Sequence, residues 1–165
     1  MVRLAVEKDI LNILDLLRQV NEVHFKGRPD IFKLGVKYSY EEIKEKLNLK
    51  NEQILVWADG EDNAKGYCFC VVKKTEQSSV LKPIKTLYID DLCVDEDHRG
   101  EHIGKALYES ALSLAKELGC YNLTLNVWSC NPSAMRFYEK LGLVPQKIYM
   151  EKSARISRLN AIFKR

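Results

Sequence analysis

Apolar residues along this chain follow two rhythms, every second position and every third or fourth, and the switches between them mark its elements. Residues 2–6, VRLAV, read as a short opening strand. From Glu7 the spacing of Ile10, Ile13, Leu14, Leu17, Val20 and Val23 is helical, with Asp9 in the first turn, where an acid complements the helix dipole. Glycine and proline in 25-FKGRPDIFKLG-35 break that rhythm. Ser39 and Glu42 form a capping-box pattern that opens a second helix through about Leu47. The β-rich runs 53-QILVWA-58 and 66-GYCFCVVKK-74 flank an Asp59-Gly60 turn, and 86-TLYIDDLCV-94 follows Pro83. Ile103, Leu107, Ala111, Leu114, Ala115 and Leu118 make one helical stripe, stopped by Gly119. The run 121-YNLTLNVW-128 alternates as a strand. Asn131 as N-cap and Pro132 at the first helical position start another helix, which ends at Gly142. The run 143-LVPQKIYM-150 reads as a last strand. The order β-α-α-β-β-β-α-β-α-β, without repeats, predicts a mixed α/β fold with helices flanking a central sheet. It forms a single domain over residues 1–150, followed by a basic tail, 151–165.

Composition narrows the class. A chain of 165 residues, 46% hydrophobic and 30% charged, makes one domain with a real core. No apolar run approaches the roughly 20 residues of a membrane helix, and MVRLAVEKDI lacks the apolar core of a signal peptide. A cytoplasmic protein without membrane partners is expected. Its five cysteines, at 68, 70, 93, 120 and 130, are odd in number and include no C-x-x-C pair, as for reduced thiols in the cytosol. Histidines only at 24, 98 and 102 give a zinc site poor support, so no metal is expected. A net charge of +3 is too small to argue for nucleic acid. The tail carries five basic residues against one acid and reads as a solvated end, with an RNA or partner contact as the alternative.

The chemistry concentrates in 97-DHRGEHIGKALYES-110, a glycine-flanked turn that feeds a helix N-terminus. Such a turn suits an anion, most often a phosphate, held by unpaired N–H groups at the positive end of the helix. It is not a P-loop, because Gly100 and Gly104 enclose only three residues and Ala106 replaces the metal-binding hydroxyl. Neither spacing nor position fits the dinucleotide fingerprint. A merely structural turn is the remaining alternative. Context favours the anion: Leu92-Cys93-Val94 lead into Arg99-Gly100-Glu101-His102-Ile103-Gly104. Further on, 131-NPSAMRFYEKLGL-143 places Asn131, Ala134, Phe137, Tyr138, Lys140 and Gly142 at fixed offsets. This combination, in this order, resembles the GNAT superfamily of N-acetyltransferases over about residues 2–150. The resemblance implies a mixed, mostly antiparallel central sheet. One departure is His102, which stands where the family turn has its central glycine; its side chain is expected to face solvent while its N–H still donates.

The resemblance implies acetyl-CoA as co-substrate. The pyrophosphate would rest on Arg99, Gly100, Glu101, His102, Ile103, Gly104 and Lys105, and the pantetheine arm along the backbone of Leu92, Cys93 and Val94. Asn131, beside its capping role, and Ser133 would contact the cofactor, and Tyr138 would be the general acid near the sulfur; a packed aromatic is the alternative for Tyr138. An alkylamine is mostly protonated at pH 7 and needs a proton acceptor before it attacks a thioester. The stretch 88-YIDDLCV-94 is similar to the acidic pair of diamine and polyamine acetyltransferases, which implies that Asp90 passes the amine proton and Asp91 holds a cationic substrate. Strand neighbours face opposite ways, so the two are not expected to share one pocket face; a bond to backbone at a sheet irregularity is the other reading. His24, Arg28 and Asp30 fall where the family builds its acceptor pocket. The expected protein transfers an acetyl group from acetyl-CoA to a primary amine of a small, cationic molecule, and could form a homodimer. A protein or peptide acceptor, for example on the ribosome, and a non-catalytic acyl-CoA sensor are its rivals.

Overall fold

The computed structural model describes residues 1–75 and 78–154. Strands β1 (Val2–Leu4), β2 (Glu52–Ala58), β3 (Ala64–Lys74), β4 (Lys85–Val94) and β5 (Asn122–Leu125) form one sheet in that order. Pairing is antiparallel from β1 to β4 and parallel between β4 and β5. Helices α1 (Ile10–Gly27) and α2 (Tyr40–Lys46) cover one face, and α3 (Ile103–Glu117) the other. Helix α4 (Pro132–Lys140) follows β5.

Alternation along the strands feeds both faces. Ile54, Val56, Tyr67, Phe69 and Cys93 pack with Ile10, Ile13 and Leu17 of α1 and Ile43 of α2. Leu55, Cys68, Cys70, Leu87 and Ile89 pack on Ile103, Leu107, Ala111 and Ala115 of α3. Burying both faces is why β3 reads as a nearly continuous apolar run. Asp9, a buried carboxylate, accepts from the Arg3 guanidinium at 2.7 and 2.9 Å and from the Val6 N–H at 2.8 Å, which pins the start of α1 to β1. The capping box forms, with Ser39 Oγ accepting the Glu42 N–H at 3.3 Å and Glu42 Oε2 accepting the Ser39 N–H at 2.7 Å. Among the described residues no helix is long and apolar enough to cross a membrane.

Two strands depart from expectation. β5 stops at Leu125 instead of reaching Trp128, and residues 143–150 form no strand. A strand needs a neighbouring edge as well as β-prone residues. Pro145 lacks a donor for a ladder, and Val144, Ile148, Tyr149 and Met150 lie exposed to solvent. Past this segment, Glu151 pairs with Arg28 at 2.6 Å. The basic tail beyond residue 154 lies outside the described residues.

Candidate active site

The sheet opens where β4 parts from β5. β4 pairs with β5 from Thr86 opposite Asn122 to Ile89 opposite Leu125, and there the pairing ends. On its other side β4 carries a bulge: Ile89 faces Cys70 and Asp91 faces Phe69, so Asp90 is an extra residue. From Asp90 to Val94, β4 therefore keeps β3 on one edge and presents the other, backbone donors and acceptors included, to the opening. Arg99 Nε donates to the Val94 carbonyl at 3.3 Å, at the end of this edge. Helix α4 lies nearby: a Cβ built on Gly104 would stand 3.2 Å from the Phe137 ring and 3.5 Å from Val94. Tyr138, the next residue, is half-buried, and desolvation, then Cys68, Asp91 and Cys93, holds its phenol well above the ordinary range.

The glycine turn builds the second part. Gly100 has φ 88° and His102 has φ 61°, ψ 10°, both left-handed. That region favours glycine, which is the physical reason a glycine is expected at position 102. The His102 side chain is exposed, as expected, and caps nothing. The first helical bond runs from the Ala106 N–H to the His102 carbonyl at 3.0 Å. The N–H groups of Ile103, Gly104 and Lys105 thus precede the ladder at the positive end of α3, as an anion site requires. Ile103 contributes backbone alone, its side chain being buried in the core. Glu101 and Lys105 are exposed, with Lys105 Nζ 3.7 Å from Glu109. Asn131 Oδ1 accepts from the Ala134 N–H at 3.2 Å and from Ser133 Oγ at 2.8 Å, so both residues serve the cap of α4.

The acidic pair corrects the expectation drawn from strict alternation. Because of the bulge, Asp91 shares the face of Phe69 and Cys93, and Asp90 reaches Tyr38 on that same face. Both carboxylates point to the α1–α2 side, in different surroundings. Lys37 Nζ donates to Asp90 Oδ2 at 2.7 Å and to the Asp90 carbonyl at 3.1 Å, and the Tyr38 hydroxyl donates to Oδ2 at 2.5 Å. Burial pushes Asp90 upward, but these bonds outweigh it and hold the carboxyl below the usual range. Asp91 is pushed up to about 6 by burial, with the Lys37 charge opposing and Asp90 reinforcing the shift. The buried Tyr67 hydroxyl lies beside it, and its contact with Asp91 opposes the upward shift of that carboxyl.

Segment 24–38 walls the opening. His24 stacks on Phe32 at 5.0 Å, and Phe32 meets Trp128 edge-on at 4.9 Å. Burial, then the Lys37 charge, lowers the His24 pKa and favours the neutral imidazole. Arg28 and Asp30, expected in the acceptor pocket, pair with each other through two contacts of 2.9 Å, with Glu151 closing on the same guanidinium. They brace the wall. Lys37, Tyr38 and Trp128 belong to this site although no motif contains them. Only the late apolar position of Trp128 in its alternating run could have signalled any of the three.

Comparison with known proteins gives the family and agrees with the fold. The family model described as "Acetyltransferase (GNAT) family" matches residues 18–143. The chain is similar to a glucosamine 6-phosphate N-acetyltransferase of Arabidopsis thaliana, 35% identical over 68 residues, 41% of this chain and 44% of that one. It is also similar to the peptidyl-lysine N-acetyltransferase YjaB of Salmonella typhimurium, 46% identical over 55 residues, 33% of this chain and 34% of that one. The matches span less than half the length of these curated relatives. Among solved structures, a mutant of the BH1408 protein from Bacillus halodurans superposes with a TM-score of 0.91 at 30% identity, covering 94% of this chain and 99% of that one.

Proposed function

Starting from the chain's membership of the GNAT acetyltransferase family, to which the match over residues 18–143 assigns it, we propose that it moves an acetyl group from acetyl-CoA to the primary amine of a small molecule, with Asp91 as proton acceptor and Tyr138 as proton donor. The observation that carries this is the bulge at Asp90, which sets Asp91 beside the open edge of β4 and within electrostatic reach of Tyr138.

Acetyl-CoA supplies the acetyl group as a thioester. The residues present fit it: three unpaired N–H groups at the start of α3 suit its pyrophosphate, with Arg99 and Lys105 adding charge. The free edge of Leu92, Cys93 and Val94 suits its amide-bearing arm. A carboxyl near 6 is ionised at pH 7 and still basic enough to take a proton from an approaching ammonium. Asp90, tied to Lys37 and Tyr38, is the poorer base and positions the acceptor wall. This reverses the division of labour that the resemblance implied. Tyr138, kept protonated by its surroundings, gives its proton to the departing sulfur.

Lys37 neutralises Asp90 and leaves Asp91 as the carboxylate open to the acceptor, while His24, Phe32 and Trp128 offer flat apolar surface. Shape against these rings, with one carboxylate, then selects the amine. The relatives named above acetylate a sugar phosphate amine and a peptidyl lysine, so both chemistries belong in the test. A screen of amino sugars, polyamines, amino acids, aminoglycosides and lysine peptides, run with wild type and Asp91→Asn, decides it. Transfer to a small amine that Asp91→Asn abolishes is the expected result; efficient transfer to peptides alone overturns the small-molecule reading. Free cysteines at all five positions suit a reducing compartment, and we assign the protein to the cytoplasm.

A further inference from the structure

We infer that the chain acetylates itself at Lys37, whose amine stands in the acceptor position of the opened sheet. The inference rests on the acetyl-transfer reading above and adds a substrate that needs no diffusion.

Lys37 Nζ is held at the one place where β4 leaves its ladder. It donates to the carbonyl of Asp90, the bulged residue, at 3.1 Å and to that residue's carboxylate at 2.7 Å. An acceptor amine needs the same things: a carbonyl and a carboxylate beside the open edge, and Asp91 within reach for its proton. Asp90 is the chain neighbour of the candidate base Asp91, so the bonds that hold Lys37 Nζ to it set the amine beside that base, whose carboxyl the Lys37 charge pulls downward. The side chain is 41% exposed, so it can move without disrupting the core. It extends from an irregular stretch between α1 and α2, anchored by Asn21 Oδ1 accepting the Gly35 N–H at 3.0 Å and by Tyr38 on Asp90. Lys44, Lys65 and Lys105 pair away from the opening, with Glu7, Asp59 and Glu109, and Lys46, over the Tyr38 ring, is tied to Glu52 at 2.8 Å.

The step balances without a further reagent. The Lys37 ammonium gives one proton to Asp91. Its nitrogen lone pair then forms a C–N bond to the thioester carbon while the C–S bond breaks and its electron pair leaves with sulfur. Tyr138 protonates the sulfur, and the second proton on nitrogen returns the phenol to its resting form. The sum is acetyl-CoA plus a lysine ammonium giving an amide, the free CoA thiol and one proton, which Asp91 passes to solvent. The amide carries no charge, so the ion pair to Asp90 is lost and an acetyl group is left in the acceptor site. Self-acetylation therefore slows transfer to free amines.

The test uses the full chain with acetyl-CoA and no added acceptor, followed by peptide mapping in a mass spectrometer. Lys37 should gain an acetyl group at least about tenfold faster than Lys44, Lys65 and Lys105, as expected for a preorganised intramolecular amine. The rate constant should not change with protein concentration and should fall in Tyr138→Phe. A second readout needs no acetyl-CoA: with N-acetyllysine incorporated at position 37, carbon NMR should show Asp91 titrating above its value in the unmodified protein, because an opposing positive charge is gone. If small amines are acetylated while Lys37 reacts no faster than Lys44, the inference is overturned and the acetyl-transfer reading stands. If neither is acetylated, both fall. An unmoved Asp91 titration overturns the placement of the amine.

Discussion

The two ends of the opening in the sheet are built from different material. At the α3 end the site is backbone: a left-handed turn, three unpaired N–H groups and a strand edge without a partner. At the α1–α2 end it is side chains: Lys37 and Tyr38 on Asp90, Arg28 on Asp30 and Glu151, His24 on Phe32 on Trp128. A backbone site constrains which residues can occupy a few consecutive positions, and so leaves a local motif. A side-chain site draws on positions scattered over more than a hundred residues and leaves none. The first is suited to a ligand that stays the same, the second to one that varies.

The largest effects should come from the residues between the two ends. Asp91→Asn should lower kcat/KM by about 10²–10⁴-fold, the range for one acid–base group. On the proposed mechanism the carboxylate form of Asp91 does the work in the wild type. Its pKa in the free folded protein is raised to about 6, so kcat/KM should fall along an acidic limb as pH drops through about 6. Asp91→Asn should lack that limb. Asp90→Asn should cost about tenfold and keep the limb, because Asp90 positions Lys37 and Tyr38 without taking the proton. A pH–rate series on the three proteins reads this directly, and a greater loss in Asp90→Asn would exchange the two roles. Tyr138→Phe comes next, with kcat down about 10²-fold and acetyl-CoA affinity nearly unchanged by calorimetry. Wild-type turnover in that variant would return Tyr138 to a packing role.

These predictions also show where the sequence was informative. Element order as far as α4, both glycine stops, the Ser39–Glu42 box and the Asn131 cap were legible because each is a local backbone requirement. The bulge was not. Asp90 and Asp91 look like strict alternation, and only the pairing of Phe69 with Asp91 and Cys70 with Ile89, some twenty residues away, breaks it. The same event shortened β5, since strand 121–128 had every local feature of a strand but lost its neighbour at Ile89. The run 143–150 failed for a similar reason. Arg28 and Asp30 were placed at the right wall, but their charges could not be known to close on each other.

A smaller effect tests the backbone end. Gly104 packs against α4 so closely that a Cβ would stand 3.2 Å from Phe137. Gly104→Val should push α4 aside, at a cost of about 1–3 kcal/mol for overpacking. It should weaken acetyl-CoA binding about tenfold, since the N–H groups of α3 lose their aim. Calorimetric affinity equal to the wild type would remove the α3 turn from the cofactor site.

The smallest predicted effect is the sharpest probe of whether the α3 end is backbone in kind. His102 holds φ 61°, which costs a side-chain-bearing residue about 1–2 kcal/mol. Glycine relieves that strain and returns about 0.5–1 kcal/mol through the greater freedom of the unfolded chain. The exposed imidazole caps nothing, so its removal should forfeit little. His102→Gly should therefore be more stable by about 0.5–1 kcal/mol, a rise in melting temperature of roughly 1–4 °C for a domain of this size. Acetyl-CoA affinity should stay within about threefold, because the donors are N–H groups whose direction the left-handed turn already sets. A scanning melt and one titration suffice. A lower melting temperature, or affinity lost with the imidazole, would mean that a side chain holds this end too, and the contrast between the two ends would dissolve.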